Sequence, residues 1–98
     1  MLHVALQEGF ANDSVQIHVN GREVFQKQNI TSKTQIGFAD SVELDMPQPP
    51  ATVRVEVSSR RASETIALPQ EDAVFLGISL SRDGKITHRI SKEPFGYL

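Results

Sequence analysis

Residues 14–24 read Ser-Val-Gln-Ile-His-Val-Asn-Gly-Arg-Glu-Val, and the reading of this stretch decides the fold. Val15, Ile17 and Val19 alternate with Gln16, His18 and Asn20, so an extended chain carries apolar side chains on one flank and polar ones on the other. Asn20-Gly21 then supplies two residues that tolerate positive φ, as a two-residue type I′ hairpin turn requires. Such a turn pairs Val19 with Arg22 and Ile17 with Val24, and it sets His18 against Glu23 on the polar flank.

The same period of two extends in both directions. Leu2, Val4 and Leu6 precede it; Val42, Leu44 and Met46, then Val53, Val55 and Val57, then Ile66 and Leu68 follow. Val74, Leu76, Ile78 and Leu80 continue the series, and Ile86 and Ile90 end it. A period of 3.6 is nowhere sustained. This pattern predicts an all-β chain of one domain, residues 1–98, folded as an antiparallel β-sandwich of seven to eight strands, Ig-like or prealbumin-like. Around Arg82-Asp83-Gly84, a three-residue loop pairs Leu80 with Ile86 and Leu76 with Ile90, and puts Gly84 at the left-handed position. Pro47, Pro49 and Pro50 read as an extended connector, and Gln26–Gln35 as the longest polar loop.

Composition narrows the classes of function. The chain has 98 residues, 39% of them hydrophobic, a formal net charge of −2 and no Cys, which removes thiolate metal sites and cysteine nucleophiles. No apolar run approaches a membrane span, and Met1–Glu8 lacks the features of a secretory leader, so a membrane is not expected and the expected setting is cytoplasmic. Residues 1–49 hold three basic and six acidic side chains, and residues 50–98 hold seven and six. The one basic doublet, Arg60-Arg61, has no aromatic within ten residues and reads as a solvated turn; nucleic acid is not an expected partner.

Signatures of catalysis are missing from the sequence: there is no G-x-S-x-G elbow, H-E-x-x-H, phosphate loop or EF-hand spacing. The paired carboxylates Glu43/Asp45 and Glu71/Asp72 have no desolvating cleft in prospect. A chain this short leaves no spare core for a deep cavity, so binding belongs on a surface groove or loop tip. The reading is therefore a non-enzymatic binding or interaction module without a cofactor. Its ligand is a small molecule, a glycan or a protein, held by Lys27, Asn29, Lys33 and Gln35 of the polar loop or by a sheet edge.

Other constellations compete with that one. If residues 2–7 and 14–19 form a hairpin, His3 faces His18, and with Glu23 they make a row of three potential metal ligands, the basis of a metal-dependent alternative. His88, opposite Ile78 on the apolar flank, reads as a core or rim histidine. Gly9-Phe10-Ala11-Asn12-Asp13-Ser14-Val15 is echoed, less one residue, by Gly37-Phe38-Ala39-Asp40-Ser41-Val42: Gly bends the chain, Phe plugs the core, and Asp-Ser satisfies turn donors. In the C-terminal Glu-Pro-Phe-Gly-Tyr-Leu, the residues Phe95, Tyr97 and Leu98 form either a lid on the sandwich or a contact for a partner, a second copy in a homodimer included.

The stretch 14–24 resembles the strand and N-G turn of PEGA-like and transthyretin-like (prealbumin-like) bacterial β-sandwich modules. That resemblance implies an accessory, carbohydrate- or surface-associated domain. With Leu76–Leu80 and the Glu-Pro-Phe-Gly-Tyr-Leu ending, the whole chain is similar to small bacterial single-domain β-sandwich proteins, which implies a stand-alone sandwich with no assigned activity. The Tyr-Arg-Gly-Ser ending of the transthyretin type has no counterpart here.

Overall fold

The structure is a computed structural model that describes residues 1–96. Among them lie the strands β1 (Leu2–Leu6), β2 (Asp13–Val19), β3 (Arg22–Ile30), β4 (Asp40–Leu44), β5 (Thr52–Val57), β6 (Ala62–Ala67), β7 (Val74–Leu80) and β8 (Ile86–Ser91). A 3-10 turn, Ser58–Arg60, joins β5 to β6. No helix among the described residues is long and apolar enough to cross a membrane. The strands form two four-stranded sheets, the first ordered β4-β1-β7-β8 and the second β3-β2-β5-β6.

Alternation sorts the side chains. Leu2, Val4, Leu6, Leu76 and Ile78 of the first sheet meet Val15, Ile17, Val53, Val55 and Val57 of the second in one cluster, each with no exposed surface. Removing each such side chain from water contributes about 1.5–3 kcal/mol, enough to hold the two apolar flanks against each other. Both predicted turns form. Asn20 and Gly21 take φ of 50° and 81°, with Val19 opposite Arg22 and His18 opposite Glu23. Gly84 takes φ of 81°, with Leu80 opposite Ile86 and Leu76 opposite Ile90.

Three expectations need correction. The sandwich is not wholly antiparallel, because β1 runs parallel to β7 from Leu2↔Val74 to Leu6↔Ile78. For the same reason β1 makes no hairpin with β2: it lies between β4 and β7, and residues 7–12 carry the chain across to the second sheet. Phe10, buried at the crossing, is anchored by its N–H to Ser32 Oγ at 3.0 Å and by its carbonyl from the Ser32 N–H at 2.9 Å. Second, a bulge beside Ile17 sets Phe25 rather than Val24 opposite it, turning Phe25 and Lys27 toward the interior flank. Third, residues 26–30 belong to β3 and not to a loop; an edge strand with a polar residue on both flanks does not display the alternation that marks its neighbours.

The edges follow one rule. In the registers Lys27↔Val15, Asp40↔Leu6, Glu64↔Val55 and His88↔Ile78, each edge strand among the described residues turns at least one ionisable side chain to the apolar flank, and β3 adds Arg22 opposite Val19. Four of these groups meet in pairs across the two sheets: Lys27 Nζ lies 2.7 Å from Asp40 Oδ2, and His88 Nδ1 lies 3.4 Å from Glu64 Oε1. Inward-pointing charge on an edge strand discourages pairing with another chain. Of the two readings of His88, core or rim, the structure has the rim: it is a partly exposed member of an edge pair.

Candidate functional site

The outer flank of the first sheet is where the expected polar, solvated surface fails to appear. Ala5 and Gln7 point away from the core, yet only 8% and 4% of their surfaces are exposed. Two segments cover them. Residues 33–38 fold over one side as a turn closed by the Lys33–Phe38 bridge, with the Gly37 N–H donating to the Lys33 carbonyl at 2.8 Å. Gly37 adopts φ of 65°, which suits a residue without Cβ. Residues 92–96 cover the other side, turned back by Ser91, whose Oγ donates to the Glu93 carbonyl at 2.8 Å and accepts from the Glu93 N–H at 3.0 Å.

Between these flaps the sheet supplies a floor of small residues. Ala5 on β1 pairs with Gly77 on β7, which pairs with Arg89 on β8. The Gln7 amide lies directly on the β7 backbone at Gly77: a Cβ there would stand 2.5 Å from Gln7 Oε1, so any side chain at this position displaces the amide. On one side of this floor is a groove of about 470 Å³ bordered by Gln7, Glu8, Ser79, Thr87 and Arg89. On the other is a smaller cleft of about 180 Å³ bordered by His3, Phe38, Glu43, Phe75 and Phe95.

Local contacts preset these walls. The His3 ring stacks on Phe75 at 4.3 Å between centroids and 11° between planes, and its Nδ1 lies 3.3 Å from Glu43 Oε1. The Arg89 guanidinium sits 4.4 Å over the Phe95 ring, a cation–π contact that holds the C-terminal segment to β8. The larger groove is therefore bordered by a carboxylate, an amide, two hydroxyls, a guanidinium and the His88 imidazole, groups that donate and accept hydrogen bonds.

The residues singled out from sequence fare differently. Lys27 is engaged with Asp40, Asn29 is exposed near the end of β3 with φ of 60°, and Lys33 and Gln35 are exposed on the 33–38 turn. They do not converge on one surface loop. The row of three metal ligands does not form, because His3 belongs to the first sheet while His18 and Glu23 pair in the second. His18 also has Arg54 directly opposite it on β5, a cation beside the position a metal would take. No group of three or more His, Cys, Asp or Glu among the described residues is placed to hold a metal. Phe95 folds back as a lid; Tyr97 and Leu98 lie outside the described residues.

The echo holds in part. Gly9 and Gly37 both take positive φ, and Asp13 and Asp40 each open a strand and each bind a cation, Arg60 and Lys27. Phe10 fills the core as expected, but Phe38 lies on the outer flank beside the small cleft. The groove residues Gln7, Ser79, Thr87 and Arg89 were missed in the sequence reading. The signal for them was the composition of that flank, Ala5 and Phe75-Gly77 where polar side chains belong. The chain matches no protein-family model, no curated protein and no solved structure.

Proposed function

We propose that this chain is a non-enzymatic binding module, with the fold of an Ig-like or prealbumin-like sandwich and a cytoplasmic setting, that takes a polar ligand along the outer flank of its first sheet. The ligand class is a small polyhydroxylated molecule or glycan. The observation that carries the reading is the groove of about 470 Å³ over the Ala5–Gly77 floor, whose volume falls in the range of small-molecule sites. Its mixed donors and acceptors suit hydroxyl groups better than a phosphate or a long apolar chain. A second reading, a self-associating structural or adaptor protein that adds edge strand to edge strand, is weighed against by the inward ionisable groups on the edge strands.

The test is titration of the isotope-labelled protein with maltohexaose, cellohexaose and chitohexaose, read as amide shifts. Binding of one of them is expected to move Gly77, Ser79, Thr87 and Arg89 and to leave the outer flank of β2 and β5 unchanged. Arg89→Ala is then expected to weaken affinity by about tenfold or more, the cost of one hydrogen bond to a charged group. No response to any of the three sugars, or shifts confined to the second sheet, overturns the assignment.

A further inference from the structure

Arg89 brings a permanent positive charge to the β8 wall of the larger groove. Among the described residues, no carboxylate lies within ion-pair distance of its guanidinium and no acceptor takes its N–H groups. What it touches is the Phe95 ring, 4.4 Å away. A cation–π contact is made through the charge and occupies no hydrogen-bond acceptor. The ring therefore holds the guanidinium at the groove while its fork of donors stays open to a planar, anionic acceptor.

The neighbours fix what else such a ligand carries. Arg89 and Thr87 lie on the same flank of β8, two residues and so about 7 Å apart along the strand, a span that suits one sugar ring with its substituents. Thr87 is paired with Ser79, whose hydroxyl accepts from the Glu8 N–H at 3.2 Å and keeps its own proton to donate. The other charged groups on the border stand apart from Arg89. Glu8 lies on the 33–38 side, its Oε1 3.3 Å from where a Cβ on Gly37 would stand, and His88 turns inward to Glu64. An anionic group entering the groove is thus drawn to the β8 wall and repelled from the Glu8 side.

We propose that the sugar taken by this groove is acidic: a uronate unit whose carboxylate is held by the Arg89 fork, with Phe95 as the positioning residue that keeps the fork in place. This rests on the glycan reading above and adds to it the charge of the ligand.

The test compares trigalacturonate with its methyl ester, which removes the charges and keeps the hydroxyls, by amide and Arg89 Nε shifts of the labelled full chain at neutral pH. The readout is the ratio of the two affinities. The acid is expected to bind tighter by about tenfold or more, the worth of a charge-assisted bidentate pair. Arg89→Gln is expected to bring the ratio to about one. Phe95→Leu is expected to lower it severalfold, and Phe95→Tyr, which keeps the ring, to preserve it. Equal binding of acid and ester, shifts gathered at Arg60 and Arg61 instead of Arg89, a ratio that Arg89→Gln leaves unchanged, or a trimer that does not bind where a neutral hexaose does overturns the acidic assignment and leaves the glycan reading in place. An unchanged ratio in Phe95→Leu overturns the positioning role. Silence of the groove toward the trimer, its ester and the neutral hexaoses alike overturns both readings.

Discussion

Replacing Asp13 with alanine is expected to lower the free energy of unfolding by about 2–4 kcal/mol, the cost of leaving two donors without their acceptor and of losing the charge-assisted bonds from Arg60. Asp13 is 1% exposed at the start of β2, and four donors converge on its carboxylate. The Ala11 N–H reaches Oδ2 at 2.8 Å, Ser59 Oγ reaches Oδ1 at 2.6 Å, and Arg60 adds Nε to Oδ1 at 2.9 Å and Nη2 to Oδ2 at 3.2 Å. The aspartate thereby ties the entrance of β2 to the 3-10 turn between β5 and β6. Alanine leaves the Ala11 and Ser59 donors unsatisfied, whereas Arg60, about a third exposed, swings to water and recovers part of its solvation.

The same carboxylate links stability to acid. Burial alone pushes the Asp13 carboxyl up, but the hydrogen bonds from Ala11, Ser59 and Arg60 and the charge of Arg60 outweigh it and hold the group below its ordinary value. A carboxyl lowered in the folded state contributes stability that is complete above its unfolded pKa and lost as pH falls through the folded one. Urea titrations at falling pH are expected to show the wild type losing stability below about pH 4, and Asp13→Ala losing less over the same interval. Equal midpoints for the two proteins at neutral pH contradict the ion pair.

What could be read from the chain was what is local. The Asn20-Gly21 and Arg82-Asp83-Gly84 hairpins follow from turn chemistry and a period of two, and both registers next to the turns are as expected. Which strands become neighbours is a non-local matter. Leu2-x-Val4-x-Leu6 offers the same apolar flank to β2 as to β7, so nothing in its own residues selects the parallel partner. The choice is made by residues 7–12, where Gly9 brings the chain tightly past Leu80 and Phe10 seats in the core. Those residues read equally well as a loop between two adjacent strands.

The site was still less legible, and for a related reason. Its walls come from residues 33–38 and 92–96, segments without periodicity whose docking depends on what the sheet offers them. A flank of Ala5, Phe75 and Gly77 is too apolar to be left wet and too shallow to be core, and covering it with two flaps creates the groove. Lys27 shows the converse. Its place in a polar run suggested a binding loop, but its register opposite Val15 turns it inward to Asp40, so its charge is used to guard an edge.

Gly9→Ala is expected to cost about 4 kcal/mol or more, a loss that points to a named structural conflict. An added Cβ at this position would stand 1.9 Å from the Leu80 carbonyl oxygen, a backbone atom at the end of β7, and φ is +89°. The conflict has two parts, a left-handed backbone that disfavours any side chain and a collision that only a shift of β7 or of residues 7–10 relieves. Such a shift breaks the bond from the Leu80 N–H to the Glu8 carbonyl, 2.8 Å long, which extends the parallel pairing past the end of β1. Gly21→Ala separates the two parts, since Gly21 has nearly the same φ, +81°, and nothing within 4 Å of its virtual Cβ. That variant bears the conformational cost alone, about 1–2 kcal/mol. Chemical denaturation of both variants is therefore expected to show Gly9→Ala less stable than Gly21→Ala by at least about 2 kcal/mol, the collision term. Equal losses at the two positions would mean that β1 and β7 do not approach as closely as the parallel pairing requires.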